Sequence, residues 1–302
     1  MSWRYSTGFG ARQLKMGVKY FLASLYPLVI RIWPLPRVLS IEETIEVIKV
    51  KRVSFARFGD GEFLYIMDKL DLPFQRYDES LASTLREILK TDRISMMVGL
   101  PSGYHGLQNL KPSGRLFWKS QITWIYPRLH KQILRSRVYG NASMTRLYHE
   151  VEDKQQSIRY FELVQGLWDK REVVIVEGAQ SRFGVGNDLL HRTQSIQRIL
   201  APPHHAYEVL PSILEVVKEQ PTSKLILVAL GPAAKALVFK LTELGFQAID
   251  VGNLDIEYEW FLRGATEKMK IPGKYTSEAV GGRIVDDMVD VKYLSEIIAD
   301  VR

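Results

Sequence analysis

From residue 41 onward, short apolar runs alternate with stretches in which apolar residues recur every three or four positions. The runs lie at 53–57, 94–100, 172–177, 196–200, 224–230 and 247–251. A strand covered by helices on both faces is apolar on both sides, so unbroken runs of this length predict buried parallel strands.

The stretches between the runs have helical periodicity. Ser40 and Glu43 form a capping-box pattern, which predicts a helix that starts at residue 41. The predicted helices cover 41–50, 62–70, 79–91, 115–135, 155–169, 208–219, 233–244 and 288–300. The repeated strand–turn–helix order predicts an α/β fold, with a Rossmann-like, mostly parallel sheet and helices on both faces. Residues 264–285 are rich in Gly, Lys and Thr and predict a loop or flap.

The net charge of +7 is concentrated at the start of the chain, because residues 1–40 hold six Lys and Arg and no acid. The apolar, aromatic run 20–30 has eleven residues, too few to span a bilayer. We therefore predict an extension over 1–40 and a single domain over 41–302. The extension is either a segment on an anionic membrane surface, with contact through residues 1–37, or a helix packed on the domain.

The rest of the composition narrows the class of protein. The chain has no Cys, which excludes disulfides, thiolate zinc sites and Cys nucleophiles. This agrees with a cytoplasmic location, either free or peripheral at the inner face of the membrane. Because the remaining chain is nearly balanced in charge, we expect no nucleic-acid partner.

The first motif with chemical potential follows the strand at 53–57. Asp60 and Glu62 are separated by one glycine, and Arg57 and Gly59 precede them. Ligands of parallel sheets bind beyond the carboxyl ends of the strands, and Mg²⁺ or Mn²⁺ accepts one or two carboxylates together with phosphate oxygens. A structural interpretation is also open, in which both acids only cap the next helix.

Three more motifs follow later strands. The segment after strand 172–177 contains Glu177, Ser181, Arg182, Gly184, Gly186, Asn187 and Asp188. Backbone N–H groups of its glycines and the Arg side chain suit a phosphate, although a capped loop–helix junction would look similar. Gly231 ends the strand at 224–230, in a turn that suits either a nucleotide or plain tight packing. The acids Asp255, Glu257 and Glu259 follow the last strong strand and are candidates for a general base, unless they face solvent.

Together, Arg57–Glu62, Glu177–Asp188, Leu230–Pro232 and Asp255–Trp260 resemble the GT-D-type glycosyltransferase family, with the motifs in the same order. The resemblance covers roughly residues 40–285. It implies a D-x-E metal motif at Asp60 and Glu62, a Mn²⁺ or Mg²⁺ ion, a UDP-sugar donor, and a glycan, glycolipid or glycoprotein acceptor at the cell surface.

On this basis we assign roles as a hypothesis. The metal and Arg57 stabilise the leaving diphosphate with help from Arg182, the Gly184–Asp188 segment shapes the donor pocket, and one of the three acids deprotonates the acceptor. Glu257 is the first choice for this base. A Rossmann-type methyltransferase and a non-catalytic nucleotide-sugar or glycan-binding protein remain as alternatives.

Overall fold

A computed structural model describes residues 9–286 and 290–302, with side chains from residue 13 onward. The first eight residues of the predicted extension and residues 287–289, which include the first two of the predicted last helix, lie outside this part. Within it, nine strands form one sheet in the order β1-β4-β3-β2-β8-β7-β5-β6-β9, and all the pairings between them are parallel. The strands are β1 Arg37–Val38, β2 Ser54–Arg57, β3 Met96–Leu100, β4 Val138–Asn141, β5 Glu172–Gly178, β6 Ser195–Ala201, β7 Leu225–Ala229, β8 Gln247–Asp250 and β9 Ile297–Asp300.

The α-helices that connect the strands are α1 Phe9–Ile32, α2 Ile41–Lys51, α3 Asp60–Asp68, α4 Glu79–Lys90, α5 Ser102–His105, α6 Pro112–Leu129, α7 Lys154–Gln165, α8 Leu210–Lys218, α9 Ala233–Glu243, α10 Leu254–Leu262 and α11 Val291–Glu296. The predicted capping box is present at the start of α2: Ser40 Oγ accepts from the Glu43 N–H at 3.1 Å, and the Ser40 N–H donates to Glu43 at 2.8 Å.

Alternate residues of each central strand point to opposite faces, and each face has its own apolar core. Val174 and Val176 of β5 pack in the core covered by α3, α4, α6, α8 and α9. Val173 and Ile175 of the same strand pack in the core covered by α2, α7 and α10. The predicted α/β class, with a parallel sheet between two helical layers, is therefore confirmed.

The prediction of a helix to residue 300 is wrong at its end. The helix stops at Glu296, and the next four residues form β9 along the edge of β6. The free edge of β6 offers backbone hydrogen bonds that local periodicity does not register. Sequence periodicity also missed the short strands β1 and β4, as well as α10, which begins four residues after β8 and carries the three candidate acids.

Within the extension, Phe9–Ile32 form α1, which lies along α6. Tyr26, Ile30 and Trp33 pack against the core of the domain, and Val29 is buried. The division of the chain at residue 40 stays a prediction. Across residues 9–286 and 290–302, no helix combines the length and the apolar character that crossing a membrane requires.

Candidate active site

The carboxyl ends of the central strands border a cleft of about 910 Å³. Its volume falls in the range of small-molecule and cofactor sites. Residues from all four sequence motifs line it: Arg57, Gly59, Asp60, Glu62, Ser181, Gly231 and Asp255. The other predicted site residues do not line it: Glu177, Arg182, Gly184, Gly186, Asn187, Asp188, Glu257 and Glu259.

The first motif forms the start of α3 on the lip of the cleft. Asp60 is the first residue of the helix, two residues earlier than predicted. The N–H of Gly59 donates to Glu62 Oε2 at 2.9 Å, so one oxygen of Glu62 closes the first helical turn. The other oxygen, Oε1, lies 2.9 Å from Lys235 Nζ. Both carboxylates therefore belong to one rigid turn that faces the cleft.

Lys235 is a cleft residue that the sequence reasoning missed. It lies in the first turn of α9, is only 3% exposed, and also contacts Asp250 at 3.2 Å and the carbonyl oxygen of Gly231 at 3.1 Å. Burial alone would raise the pKa of Glu62, but Lys235 and the Gly59 N–H outweigh it, and the pKa lies below its ordinary value. The available signal was a lysine four residues after the glycine of a strand–helix turn.

Arg57 is held on the opposite side of Asp250. Its Nε donates to the carbonyl oxygen of Asp250 at 3.1 Å, and its Nη2 lies 3.2 Å from Asp250 Oδ1. Gly252, with φ +43°, passes so close that a Cβ atom there would lie 1.5 Å from Nη2. Only glycine allows this approach, and the guanidinium is consequently fixed at the cleft. Glu62, Lys235, Asp250 and Arg57 thus form a continuous row of alternating charges.

In the second motif, Glu177 supports the cleft wall from behind. It is fully buried, accepts the N–H of Phe183 at 2.6 Å, and pairs with Arg198 at 2.7 Å. Burial raises the pKa of Glu177 more than Arg198 lowers it. Arg198 in turn pairs with Glu296 at 2.7 Å, next to β9. The carboxylate therefore fixes the loop that carries Ser181 into the cleft.

Arg182 points to the flap. Its own φ is +47°, and its Nη1 donates to the carbonyl oxygens of Gly273 at 2.6 Å and Asp286 at 3.1 Å. Gly184 and Gly186 have φ values of +72° and +76° in the turns that follow. The side chain that was predicted to reach a phosphate is thus used to hold the segment 264–286.

Asn187 connects the second motif to the fourth. Its Nδ2 donates to Asp255 and to Glu259, each at 2.8 Å, and Lys274 Nζ pairs with the same two carboxylates at 2.7 and 3.1 Å. Burial raises the pKa of Asp255 more than Lys274 and Asn187 lower it. Of the three candidate acids, only Asp255 lines the cleft.

Glu257 lies on another side of α10, and Asp188 contacts that helix from the second motif. Glu257 is fully buried, and its Oε2 accepts the N–H groups of Tyr148 at 3.0 Å and His149 at 2.8 Å. Asp188 accepts a hydrogen bond from the hydroxyl of Tyr258 at 2.7 Å. These contacts give Glu257 a place in the support of the His149 segment, and its role as a base stays a prediction.

The sequence model of the family described as "Glycosyltransferase GT-D fold" matches residues 55–279. The chain belongs to the GT-D glycosyltransferase family. It is 37% identical over 265 residues to a probable glycosyl transferase Gly of Streptococcus gordonii, and 35% identical over 266 residues to glycosyltransferase GlyD of Streptococcus pneumoniae serotype 4. These matches cover 87% and 88% of the chain but only 39% and 32% of the relatives, so it spans less than half of their length.

Solved structures agree with this family. One, described as domain of unknown function 1792 with a distinct glycosyltransferase fold, aligns with a TM-score of 0.83 at 34% identity, over 94% of this chain and 99% of its own. A glycosyltransferase of the same domain type from Streptococcus sanguinis aligns with a TM-score of 0.82 at 35% identity, over 88% of this chain and all of its own. The predicted family and enzyme class are confirmed.

The GT-D cleft has a second charged wall that the sequence analysis missed. Arg146 pairs with Glu278 of the flap at 2.5 Å, and Lys268 contacts the same carboxylate. Burial would raise the pKa of Glu278, but the two cations lower it to about 2. His149 also lines this wall, and burial, with Lys268 nearby, lowers its pKa to about 4. These residues come from loops far apart in the sequence and carry no recognisable spacing.

Proposed function

We propose that the chain transfers a sugar from a UDP-sugar donor to a hydroxyl group of a cell-surface glycan, glycolipid or glycoprotein, with Mn²⁺ or Mg²⁺ as cofactor. The observation that carries the proposal is the meeting of Asp60, Glu62, Arg57, Gly231 and Asp255 at one cleft beyond the carboxyl ends of the strands. Carboxylates, fixed cations and a glycine turn at one point suit a nucleotide diphosphate. Family membership supports a sugar as the group that is transferred, and the resemblance supports uracil as the base of the nucleotide.

Asp60 and Glu62 fit a divalent ion of this kind. Within residues 9–286 and 290–302, no three His, Asp or Glu side chains lie close enough to hold a metal by themselves. Mg²⁺ commonly binds through one or two protein carboxylates and completes its shell with phosphate oxygens and water. Such an ion would neutralise charge on the leaving diphosphate.

The protein's own cations act on the same leaving group. Arg57 is fixed by Asp250, and Lys235 by Glu62 and Asp250, so neither side chain has to reorganise as negative charge develops. The turn at Gly231, with φ +57°, directs the start of α9 toward the cleft. The positive end of that helix adds to the stabilisation.

We propose Asp255 as the base that takes the acceptor proton. It lines the cleft, and a raised pKa brings a carboxylate closer to the range in which general bases work at neutral pH. Glu259 and Lys274 set its charge, and Asn187 sets its orientation. Glu257 then acts indirectly, because it accepts the N–H of His149 and orders the backbone there.

The flap at 264–285 has the position to exclude water, which would otherwise take the sugar in place of the acceptor. Arg182 donates hydrogen bonds to the backbone of this segment, and Glu278 of the flap pairs with Arg146 at the cleft wall. With this function we propose a cytoplasmic location, peripheral at the inner face of the membrane, with contact through residues 1–37.

The test is a panel of nucleotide sugars incubated with the protein and a mixture of hydroxyl-bearing glycan, glycolipid and glycoprotein acceptors in Mn²⁺ or EDTA, with release of the nucleotide measured. We expect turnover of a UDP-sugar in Mn²⁺ and a loss of about a hundredfold or more in Asp60→Asn. Asn keeps the size and shape of Asp at the first residue of α3, so the fold should persist.

Asp68→Asn is the matched control, since Asp68 ends the same helix and pairs with Arg128 at the surface. It should retain wild-type turnover. Full activity of Asp60→Asn, or of the wild type in EDTA, would remove the metal from the proposal. UDP binding without turnover of any donor would leave only a binding protein.

A further inference from the structure

Helix α1 has two faces that are both largely apolar. The inner face lies on α6, where Tyr26, Ile30 and Trp33 pack against the core and Lys19 lies 5.9 Å from the centre of the Phe117 ring. An ordinary surface helix would turn charged and polar side chains outward from such a contact.

The outer face of α1 instead carries a row of large apolar side chains. Leu14, Phe21, Leu28 and Ile32 follow each other at spacings of seven, seven and four residues, which places them along one side of the helix. Their exposed fractions are 67%, 64%, 55% and 54%. Tyr20, with 60% exposed, and Met16 are also exposed, toward the other edge of the outer face.

The positions between them keep the outer face nearly free of charge. Gln13, Gly17, Ser24 and Pro27 are exposed on the same side, and Arg31 is the one charged residue fully exposed there among residues 13–32. A Cβ atom at Gly17 would meet nothing within 4 Å, so the row is bordered by a shallow, open groove. In the described part of the chain, the other strongly exposed apolar residues, such as Ile94 or the pair Val291 and Leu294 on α11, do not form a row of this length.

The charge of the segment indicates what covers this face. Residues 1–40 hold six Lys and Arg and no acid, whereas the rest of the chain is nearly neutral. A helix that combines an exposed aromatic and aliphatic row with excess positive charge is typical of segments that lie in the plane of an anionic membrane. A contact with another protein would not require this one-sided charge.

We propose that the outer face of α1, formed by Leu14, Phe21, Leu28 and Ile32, docks on an anionic lipid surface with the helix parallel to it. The inference rests on the peripheral location proposed above and not on the transfer chemistry. The first turns of α6 line the cleft through Ser113, Gly114, Phe117 and Trp118, and α6 also packs against α1. Docking would therefore hold the cleft close to the bilayer and favour acceptors anchored in it.

The experiment is flotation of the full chain with phosphatidylcholine vesicles, with and without phosphatidylglycerol. We expect wild-type protein to float with the anionic vesicles and to be released by salt. Phe21→Ser with Leu28→Ser should weaken this binding by about tenfold or more, because two large side chains no longer enter the lipid interface. Arg31→Gln should weaken it severalfold and only on anionic vesicles.

Ile94→Ser with Val291→Ser is the matched control, since it removes two exposed apolar residues outside α1. It should float as the wild type does. All variants change exposed side chains, so their melting temperatures should stay within about 1 °C of the wild type.

Three results would overturn the proposal, two in flotation and one in sedimentation. Either the wild type fails to float with anionic vesicles, or the α1 variant floats as well as the control. A dimer in sedimentation that the α1 variant abolishes would assign the face to a second copy of the chain and would also overturn it. UDP binding by the α1 variant, measured by calorimetry, should equal that of the wild type, so the docking and the transfer chemistry fail separately.

Discussion

Lys235 is the residue through which the structure makes its sharpest quantitative prediction. Its side chain is 3% exposed, and its ammonium group lies between Glu62 at 2.9 Å and Asp250 at 3.2 Å. Lys235→Met keeps the length and most of the volume of the side chain and removes only the charge. Asp250 keeps its contact with Arg57, but Glu62 loses its ion pair with Lys235.

Removing one partner of a buried ion pair typically costs about 3–5 kcal/mol, since the remaining charge is left without compensation. Because Asp250 retains Arg57 and Glu62 is 15% exposed, we expect the lower end, about 3 kcal/mol. In a chain of this size that lowers the melting temperature by about 6 °C.

The effect should depend on pH in a defined direction. The pKa of Glu62 in the folded protein lies below its ordinary value of 4.5, so its contribution to stability is complete above pH 4.5 and is lost as the pH falls through the lower folded value. Without Lys235 the pKa of Glu62 rises. The difference between variant and wild type should therefore be largest at neutral pH and shrink in acid.

Urea denaturation followed by tryptophan fluorescence, at pH 7 and pH 4, measures both quantities. Lys240→Met is the matched control, because Lys240 lies on the same helix and its ion pair, with Glu243 at 3.5 Å, is exposed. Its effect should stay within about 0.5 kcal/mol. If Lys235→Met unfolds at the same urea concentration as Lys240→Met, the row of charges does not stabilise the cleft and the reasoning is refuted.

Three other predictions concern the rest of the cleft. Gly252→Ala should lower the free energy of unfolding by about 3 kcal/mol and weaken UDP binding in calorimetry, since its Cβ would lie 1.5 Å from Arg57 Nη2. Its control is Gly264→Ala, where φ is +59° and the space is open; this change should cost only about 1 kcal/mol and leave UDP binding unchanged. Glu278→Gln should speed limited proteolysis of the flap at neutral pH, where its carboxylate, with a pKa of about 2, is charged; cleavage at the wild-type rate would show that this pair does not hold the flap. The pKa of His149 is about 4 in the folded protein and near 6.5 when unfolded, so between these pH values only the unfolded chain binds the extra proton. The wild type should therefore lose more stability than His149→Gln as the pH falls from 6.5 to 4. Equal slopes of the free energy of unfolding against pH would contradict the shift.

The fold was largely predictable because its signals are local. The runs at 172–177 and 224–230 are unbroken and short, and the Ser40–Glu43 pair closes its box within one turn. The strand β9 was not predictable in this way, because residues 297–300 form it by pairing with the edge of β6. Periodicity describes which side of an element is apolar, and it does not report a partner supplied from a distant part of the chain.

The site was predictable by position more than by role. Strand ends located the cleft, and Asp60, Arg57 and Gly231 line it. To choose among the three acids, one has to know that residues 254–262 form the helix α10. In a helix, residues 255 and 259 share a face and residue 257 lies nearly opposite. Asp255 therefore faces Lys274, whereas Glu257 is enclosed. Recognising that helix from the sequence would have separated the acids.

The most direct measurement is a crystal structure of the chain with UDP and Mn²⁺, in which anomalous scattering locates the ion. We predict Mn²⁺ about 2 Å from a carboxylate oxygen of Asp60, in contact with the diphosphate, and the nucleotide in the cleft beside Gly231. An ion out of reach of both Asp60 and Glu62, or a nucleotide bound outside the cleft, would contradict the account.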